Sequence, residues 1–140
     1  MQYEIPLILI SHGAFAQGAL DCVEMLIGKQ NNVSVLSVMQ GNNFALIRDR
    51  LHKLYHEVNN NKGVIILTDL LGGTPCNIAS ELLTDYDDVL LYCGFNIPVL
   101  IEVLLSRNTT LSQVIDIIEK TYPYSCIHVT KNPNKLNILY

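Results

Sequence analysis

The chain has 140 residues, 49% apolar and only 16% charged, a length and balance that suit one folded domain and exclude a disordered chain. Its formal net charge is −4, and Lys29, Arg48, Arg50, Lys53 and Lys62 are scattered. That excludes the basic face a nucleic-acid binder needs, although cations spaced this way can help dock an acidic partner.

No apolar run approaches the roughly 20 residues of a membrane-spanning helix. The segment Met1-Gln2-Tyr3-Glu4-Ile5-Pro6 has no basic region leading to a small-residue cleavage site, so a cytoplasmic location is expected. The four cysteines, Cys22, Cys76, Cys93 and Cys126, form no Cys-x-x-Cys pair. Free thiols are expected rather than structural zinc or a redox motif.

In chain order, strand-like runs alternate with helical patterns. Pro6 to Ser11 reads as the first strand. Ala14 to Ile27 reads as a helix with Phe15, Ala19, Val23 and Leu26 on one stripe and Gly28 as its stop. Val33 to Val38 is the second strand, followed by a loop around Gln40 to Asn43. A helix follows from Phe44 to Val58, in which Ile47, Leu51, Leu54, Tyr55 and Val58 recur at intervals of three and four.

Val64 to Thr68 is the third strand, continuously apolar, as suits a strand covered on both faces. Thr74 and Pro75 open the next helix, the threonine as N-cap and the proline at the first helical position. Ile78, Ala79, Leu82 and Leu83 are its apolar residues. Val89 to Cys93 is the fourth strand, and Gly94 to Pro98 turns into a helix through Leu105. Thr110 and Gln113 make a capping-box pattern ahead of Leu111, Val114, Ile115 and Ile118. Cys126 to Val129 and Leu136 to Tyr140 are expected as one or two short edge strands. This order predicts an α/β fold: a doubly wound, mainly parallel sheet of four strands plus a short C-terminal edge strand, with helices on both faces, as one domain over residues 1–140.

In such sheets ligands bind beyond the carboxyl ends of the strands, where strand order reverses. His12 and Asp69 stand just past strands one and three, so an imidazole and a carboxylate are expected at one sheet edge. Neutral imidazole is nucleophilic near neutral pH, and a carboxylate accepting one ring N–H fixes the tautomer and steadies positive charge on the ring. Gly13, Gly72 and Gly73 leave room for backbone N–H groups to approach phosphate oxygens, and the helix opening at Thr74 adds a partial positive end. Together these residues predict transfer of a phosphoryl group on and off His12. Taken singly, each has a plainer explanation: a packed histidine, a loop-capping aspartate, a tight turn before a helix. His52, His56 and His128 are assigned to packing or surface.

The sequence has no Gly-x-x-x-x-Gly-Lys-[Ser/Thr] loop, no Gly-x-Gly-x-x-Gly after strand one and no Gly-x-Ser-x-Gly elbow. The phosphoryl group is therefore expected from another phosphorylated protein, with no cofactor and no metal. A receiver-like regulatory domain phosphorylated on Asp69 is a second reading, but receivers hold magnesium with an acidic cluster after strand one. Here Ser11-His12-Gly13 occupies that place. A hydrolase using Ser11, His12 and Asp69 is a third, disfavoured because adjacent residues of a strand point to opposite sides.

Four motifs carry a resemblance: Ile10-Ser11-His12-Gly13, Glu24-Met25-Leu26-Ile27-Gly28, Asp69-Leu70-Leu71-Gly72-Gly73-Thr74-Pro75-Cys76-Asn77 and Gly94-Phe95-Asn96-Ile97-Pro98-Val99-Leu100. In this order they resemble the enzyme IIA components of the mannose–fructose–sorbose family of the bacterial phosphoenolpyruvate-dependent sugar phosphotransferase system (PTS). The match runs from Ile8 to about Arg107. The resemblance implies that His12 is phosphorylated, that Asp69 orients its ring, and that Thr74 sits where a hydroxyl meets the phosphate. It implies a histidine-containing phosphocarrier protein as donor and an enzyme IIB component as acceptor, with the membrane reached only through the sugar permease components. It also implies a homodimer in which a C-terminal strand can be exchanged. The phosphotransfer subunit of dihydroxyacetone kinase shares the histidine logic but lacks the Gly72–Asn77 pattern.

Overall fold

The computed structural model describes residues 4–131. Four parallel strands, β1 (Leu7–His12), β2 (Val33–Val38), β3 (Val64–Thr68) and β4 (Val89–Cys93), form one sheet in the order β2-β1-β3-β4. They alternate with helices α1 (Phe15–Ile27), α2 (Phe44–Val58), α3 (Thr74–Asp85) and α4 (Ile97–Leu105). Helix α5 (Leu111–Thr121) and a 3₁₀ turn, Tyr122–Tyr124, follow. Strand order reverses between β1 and β3, so the topology opens a crevice at their carboxyl ends.

The two-residue period of a strand divides the core. Leu7, Leu9, Ile65 and Leu67 face α1, α4 and α5, where they meet Ala19, Val23, Leu100, Val103, Val114 and Ile118. Ile8, Ile10, Val64 and Ile66 face α2 and α3, where they meet Ile47, Leu51, Tyr55, Ile78, Ala79 and Leu82. Each such side chain, when fully buried, contributes about 1.5–3 kcal/mol. Both faces of β1 and β3 are covered, which explains their unbroken apolar runs.

Strand and helix positions follow the sequence expectation, with four local differences. β1 runs one residue further and takes in His12, which pairs with Val38. The pairing persists because the Gly13 N–H reaches the Val38 carbonyl at 2.9 Å. The buried stripe of α1 is Ala16, Ala19, Leu20 and Val23, leaving Phe15 and Leu26 toward solvent. The helix is rotated so that small residues lie against the sheet, and Phe15 stacks on Phe95 above it, ring centroids 5.4 Å apart.

At α3 the N-cap is Gly73, not Thr74, which is the first helical residue and makes no capping hydrogen bond. Residues 126–130 carry no strand, and Ile127 and Val129 are exposed, with no strand paired to them among the described residues. The expected strand from Leu136 to Tyr140 lies outside the described residues.

Elsewhere the local chemistry is as read. Gly28 ends α1 at φ +88°, a conformation that suits glycine. Thr110 and Gln113 form the reciprocal capping box of α5. The end of the sheet opposite His12 is closed by Arg107, whose buried guanidinium donates to the carbonyls of Ile5, Asn31 and Asn32 and to Glu4 at 3.1 Å.

Candidate active site

β1 and β3 are adjacent and in register, with Ile10 beside Thr68, so the residues that leave them emerge together. His12 Nδ1 lies 2.7 Å from Asp69 Oδ2, and the same oxygen accepts the His12 backbone N–H at 2.9 Å. Asp69 is fixed further by its other oxygen, which accepts the Leu70 N–H at 3.1 Å. Burial pushes the Asp69 carboxyl up, but the backbone and ring hydrogen bonds from His12 outweigh it and hold the group below its ordinary value. An ionised Asp69 accepts a hydrogen bond from Nδ1–H, which leaves the lone pair on Nε2. The His12 side chain is 48% exposed and Asp69 only 12%. The ring is thus half open to solvent while the carboxylate that holds it is covered.

The Gly72–Gly73 turn backs the ring. Gly72 sits at φ +85°, where other residues are strained. Gly73 packs so closely that a Cβ there would lie 2.6 Å from His12 Cε1 and 3.2 Å from Nε2. The first turn of α3 then begins, with backbone N–H groups that have no partner inside the helix and a positive dipole end. A cleft of about 580 Å³ opens beside the ring, lined by His12, Gly13, Val38, Met39, Gln40, Gly41, Phe44 and Thr74. Exposed apolar side chains stand at this end of the sheet: Met39 and Phe44 in the lining, and Leu70 and Leu71 directly after Asp69.

The six candidate residues therefore divide by position. His12 and Asp69 are in direct contact, Gly73 touches the ring, Gly13 and Thr74 line the cleft with His12, and Gly72 forms the turn behind it. Ser11 points the other way, fully buried, and its Oγ accepts the Ala16 N–H at 2.8 Å at the start of α1. It is committed to helix capping and is no nucleophile for His12. His56 and His52 pack against Tyr86, with His56 Nε2 2.8 Å from the Tyr86 hydroxyl. Arg48, one of the scattered cations, pairs with Glu81 at 2.6 Å.

Sequence reasoning missed two features. Arg107 gave no periodic signal, and its importance lies in carbonyls far away in sequence. Cys76 and Cys93, separated by strand and helix, meet with their sulfurs 2.9 Å apart, which spacing along the chain did not reveal.

Comparison with known proteins gives the family. The sequence profile of the family described as "PTS system fructose IIA component" matches residues 6–121. The chain belongs to the mannose–fructose–sorbose family of PTS enzyme IIA components. It is 33% identical over 104 residues to the mannose-specific EIIAB component of Escherichia coli K12, covering 74% of this chain and 32% of that protein. The chain thus spans about a third of the length of that longer relative. It is 27% identical to the fructose-specific EIIA component of Bacillus subtilis, covering 74% of this chain and 70% of that one. Among solved structures, a PTS IIA protein associated with the fucose utilization operon of Streptococcus pneumoniae superposes with a TM-score of 0.81 at 32% identity. That match covers 91% of this chain and 94% of the other. The mannose/sorbose-specific IIA subunit of Enterococcus faecalis, at 23% identity and TM-score 0.84, covers 93% and 98% and shares the fold.

Proposed function

We propose that this IIA component carries a phosphoryl group on His12 Nε2, accepting it from a phosphohistidine on the histidine-containing phosphocarrier protein and passing it to an enzyme IIB component for coupled sugar uptake. The observation that carries this reading is the Nδ1–Asp69 contact of 2.7 Å on a ring that is half exposed. In the transfer, the Nε2 lone pair attacks the donor's phosphorus and the donor's P–N bond breaks. Asp69 stays ionised and holds Nδ1–H, steadying the positive charge that builds on the ring. The Gly73 amide and those of the first turn of α3 are the backbone donors for the departing or arriving PO₃ unit, and the Thr74 hydroxyl is a side-chain donor in the cleft lining.

A phosphorylated partner has to bring its own imidazole to within bonding range, so the site must be an exposed platform rather than an enclosed pocket. The exposed apolar side chains of Met39, Phe44, Leu70 and Leu71 supply such a platform. Among the described residues no helix is long and apolar enough to cross a membrane, consistent with reaching the membrane only through permease components. The homodimer that the family resemblance implies has an available surface in β4, an edge strand whose residues are all partly exposed.

The test is to incubate the protein with phosphoenolpyruvate, enzyme I and the phosphocarrier and to follow acid-labile, base-stable label. Wild type is expected to label once and His12→Ala not at all. Undiminished labelling of His12→Ala refutes the assignment.

A further inference from the structure

Outside the His12 cleft, the densest reactive cluster is the pair of thiols at the start of α3 and the end of β4. Cys76 and Cys93 are both free cysteines, their sulfurs 2.9 Å apart. A disulfide needs roughly 2.05 Å, so bonding requires an approach of less than about 1 Å. We propose that Cys76 and Cys93 form a reversible disulfide under peroxide, and that this bond slows phosphoryl uptake by shifting the Gly72–Gly73 turn behind His12. This rests on the phosphocarrier reading above.

Three observations carry it. First, the pair is asymmetric in the way thiol–disulfide chemistry needs. Burial pushes the Cys76 thiol up, but the Cys93 thiol first, and the Gly72 amide and Ser80 hydroxyl beside it, favour its thiolate, and the net direction is downward. Cys93 moves the other way, raised by burial and by its neighbour. Cys76 is thus the nucleophile and Cys93 the resolving thiol. Second, there is access: Cys76 is itself buried, but Cys93, whose sulfur it touches, is partly exposed and forms part of the wall of an open pocket of about 280 Å³ with Phe95, Asn96, Tyr122 and Ser125, so peroxide entering there meets the pair. Third, the pair is wired to the site. Cys76 lies in the first turn of α3, directly after Gly73 and Thr74, and Gly73 rests against the His12 ring.

The step balances with hydrogen peroxide as oxidant. The Cys76 thiolate attacks one peroxide oxygen, the O–O bond breaks, and hydroxide leaves with a proton as water, giving a sulfenic acid. The Cys93 sulfur attacks the Cys76 sulfur, the S–O bond breaks, and a second water leaves. The two thiols lose two electrons and two protons in total. Closing the bond draws the start of α3 toward β4, and the Gly72–Gly73 turn that leads into that helix moves with it.

The experiment uses the full chain with Cys22 and Cys126, both exposed, changed to serine so that links between copies do not form. After hydrogen peroxide, peptide mapping is expected to show Cys76 joined to Cys93 with loss of two hydrogens. The initial rate of phosphoryl uptake is expected to fall on the order of tenfold and to recover with dithiothreitol. Cys93→Ser in the same background is expected to label like the reduced parent and to be insensitive to peroxide at this rate. No Cys76–Cys93 peptide, or a quantitative link with an unchanged rate, overturns the proposal. The crosslink is read without any PTS protein, and labelling of the reduced parent is read without peroxide, so failure of the switch and failure of the phosphocarrier reading are separate results.

Discussion

A single oxygen of Asp69, Oδ2, accepts both the backbone N–H and the ring Nδ1 of His12, at 2.9 and 2.7 Å. The carboxylate therefore fixes where the histidine leaves β1 and which ring nitrogen keeps its proton. Asp69→Asn keeps an acceptor for the backbone but removes the charge that favours Nδ1–H. Phosphoryl uptake is expected to fall on the order of 10²-fold or more, with the fold retained by circular dichroism.

The same contact sets an acid limit. Because the Asp69 carboxyl is held below its ordinary 3.8 in the folded protein, its stabilising contribution is fully present above that value. It is lost as pH falls through the lower, folded-state value. A carboxyl-carbon NMR titration is expected to show the Asp69 inflection below 3.8. In His12→Ala the inflection is expected to move only part of the way back, since the backbone N–H at residue 12 remains.

Gly73→Ala tests the close packing behind the ring. Its φ of −82° is ordinary for alanine, so the backbone is unstrained, but the new methyl would stand 2.6 Å from His12 Cε1. The ring must swing away from Asp69. Phosphoryl uptake is expected to drop about tenfold or more with little change in Tm, measured on the same preparation.

Arg107 governs stability rather than chemistry. Replacing it with methionine leaves the Ile5 and Asn31 carbonyls without this donor and the Asn32 carbonyl with the Leu7 N–H alone, and a loss of about 3 kcal/mol or more is expected in urea unfolding. Lysine is not expected to rescue it, because a point charge cannot serve carbonyls spread around a planar fork.

Two phenols set an alkaline limit. Tyr55 is raised to about 12 by burial and by its bond to Asp88, and Tyr92 to about 12 by burial and by its 2.7 Å bond to Glu119. Their contribution is complete below pH 10.0, the ordinary value, and is lost as pH rises toward about 12, because the unfolded chain ionises first. Tyr55→Phe is expected to cost about 1–2 kcal/mol at neutral pH and to flatten this alkaline decline in unfolding measured across that range.

Much of this was legible in the sequence because it rests on short-range patterns. The apolar runs of β1 and β3 ended at His12 and Asp69, and the glycines and Pro75 marked the turn and the next helix. What was not legible depends on tertiary contact. Phe15 and Leu26 fit the period of α1 as well as Ala16 and Leu20 do, and only packing against the sheet decides which pair is buried. Thr74 is a better N-cap than glycine by preference, yet Gly73 takes the position where its Cα must approach the His12 ring. Arg107 and the Cys76–Cys93 pair meet groups distant along the chain, which no local period can encode.

The central claim is that His12 receives the phosphoryl group on Nε2 while Asp69 keeps the proton on Nδ1. The direct measurement is nitrogen and phosphorus NMR of the ring-labelled protein after phosphorylation through the phosphocarrier. The expected result is phosphorus coupled to His12 Nε2 with Nδ1 still protonated. Phosphorus on Nδ1, or on a residue other than His12, would contradict the account.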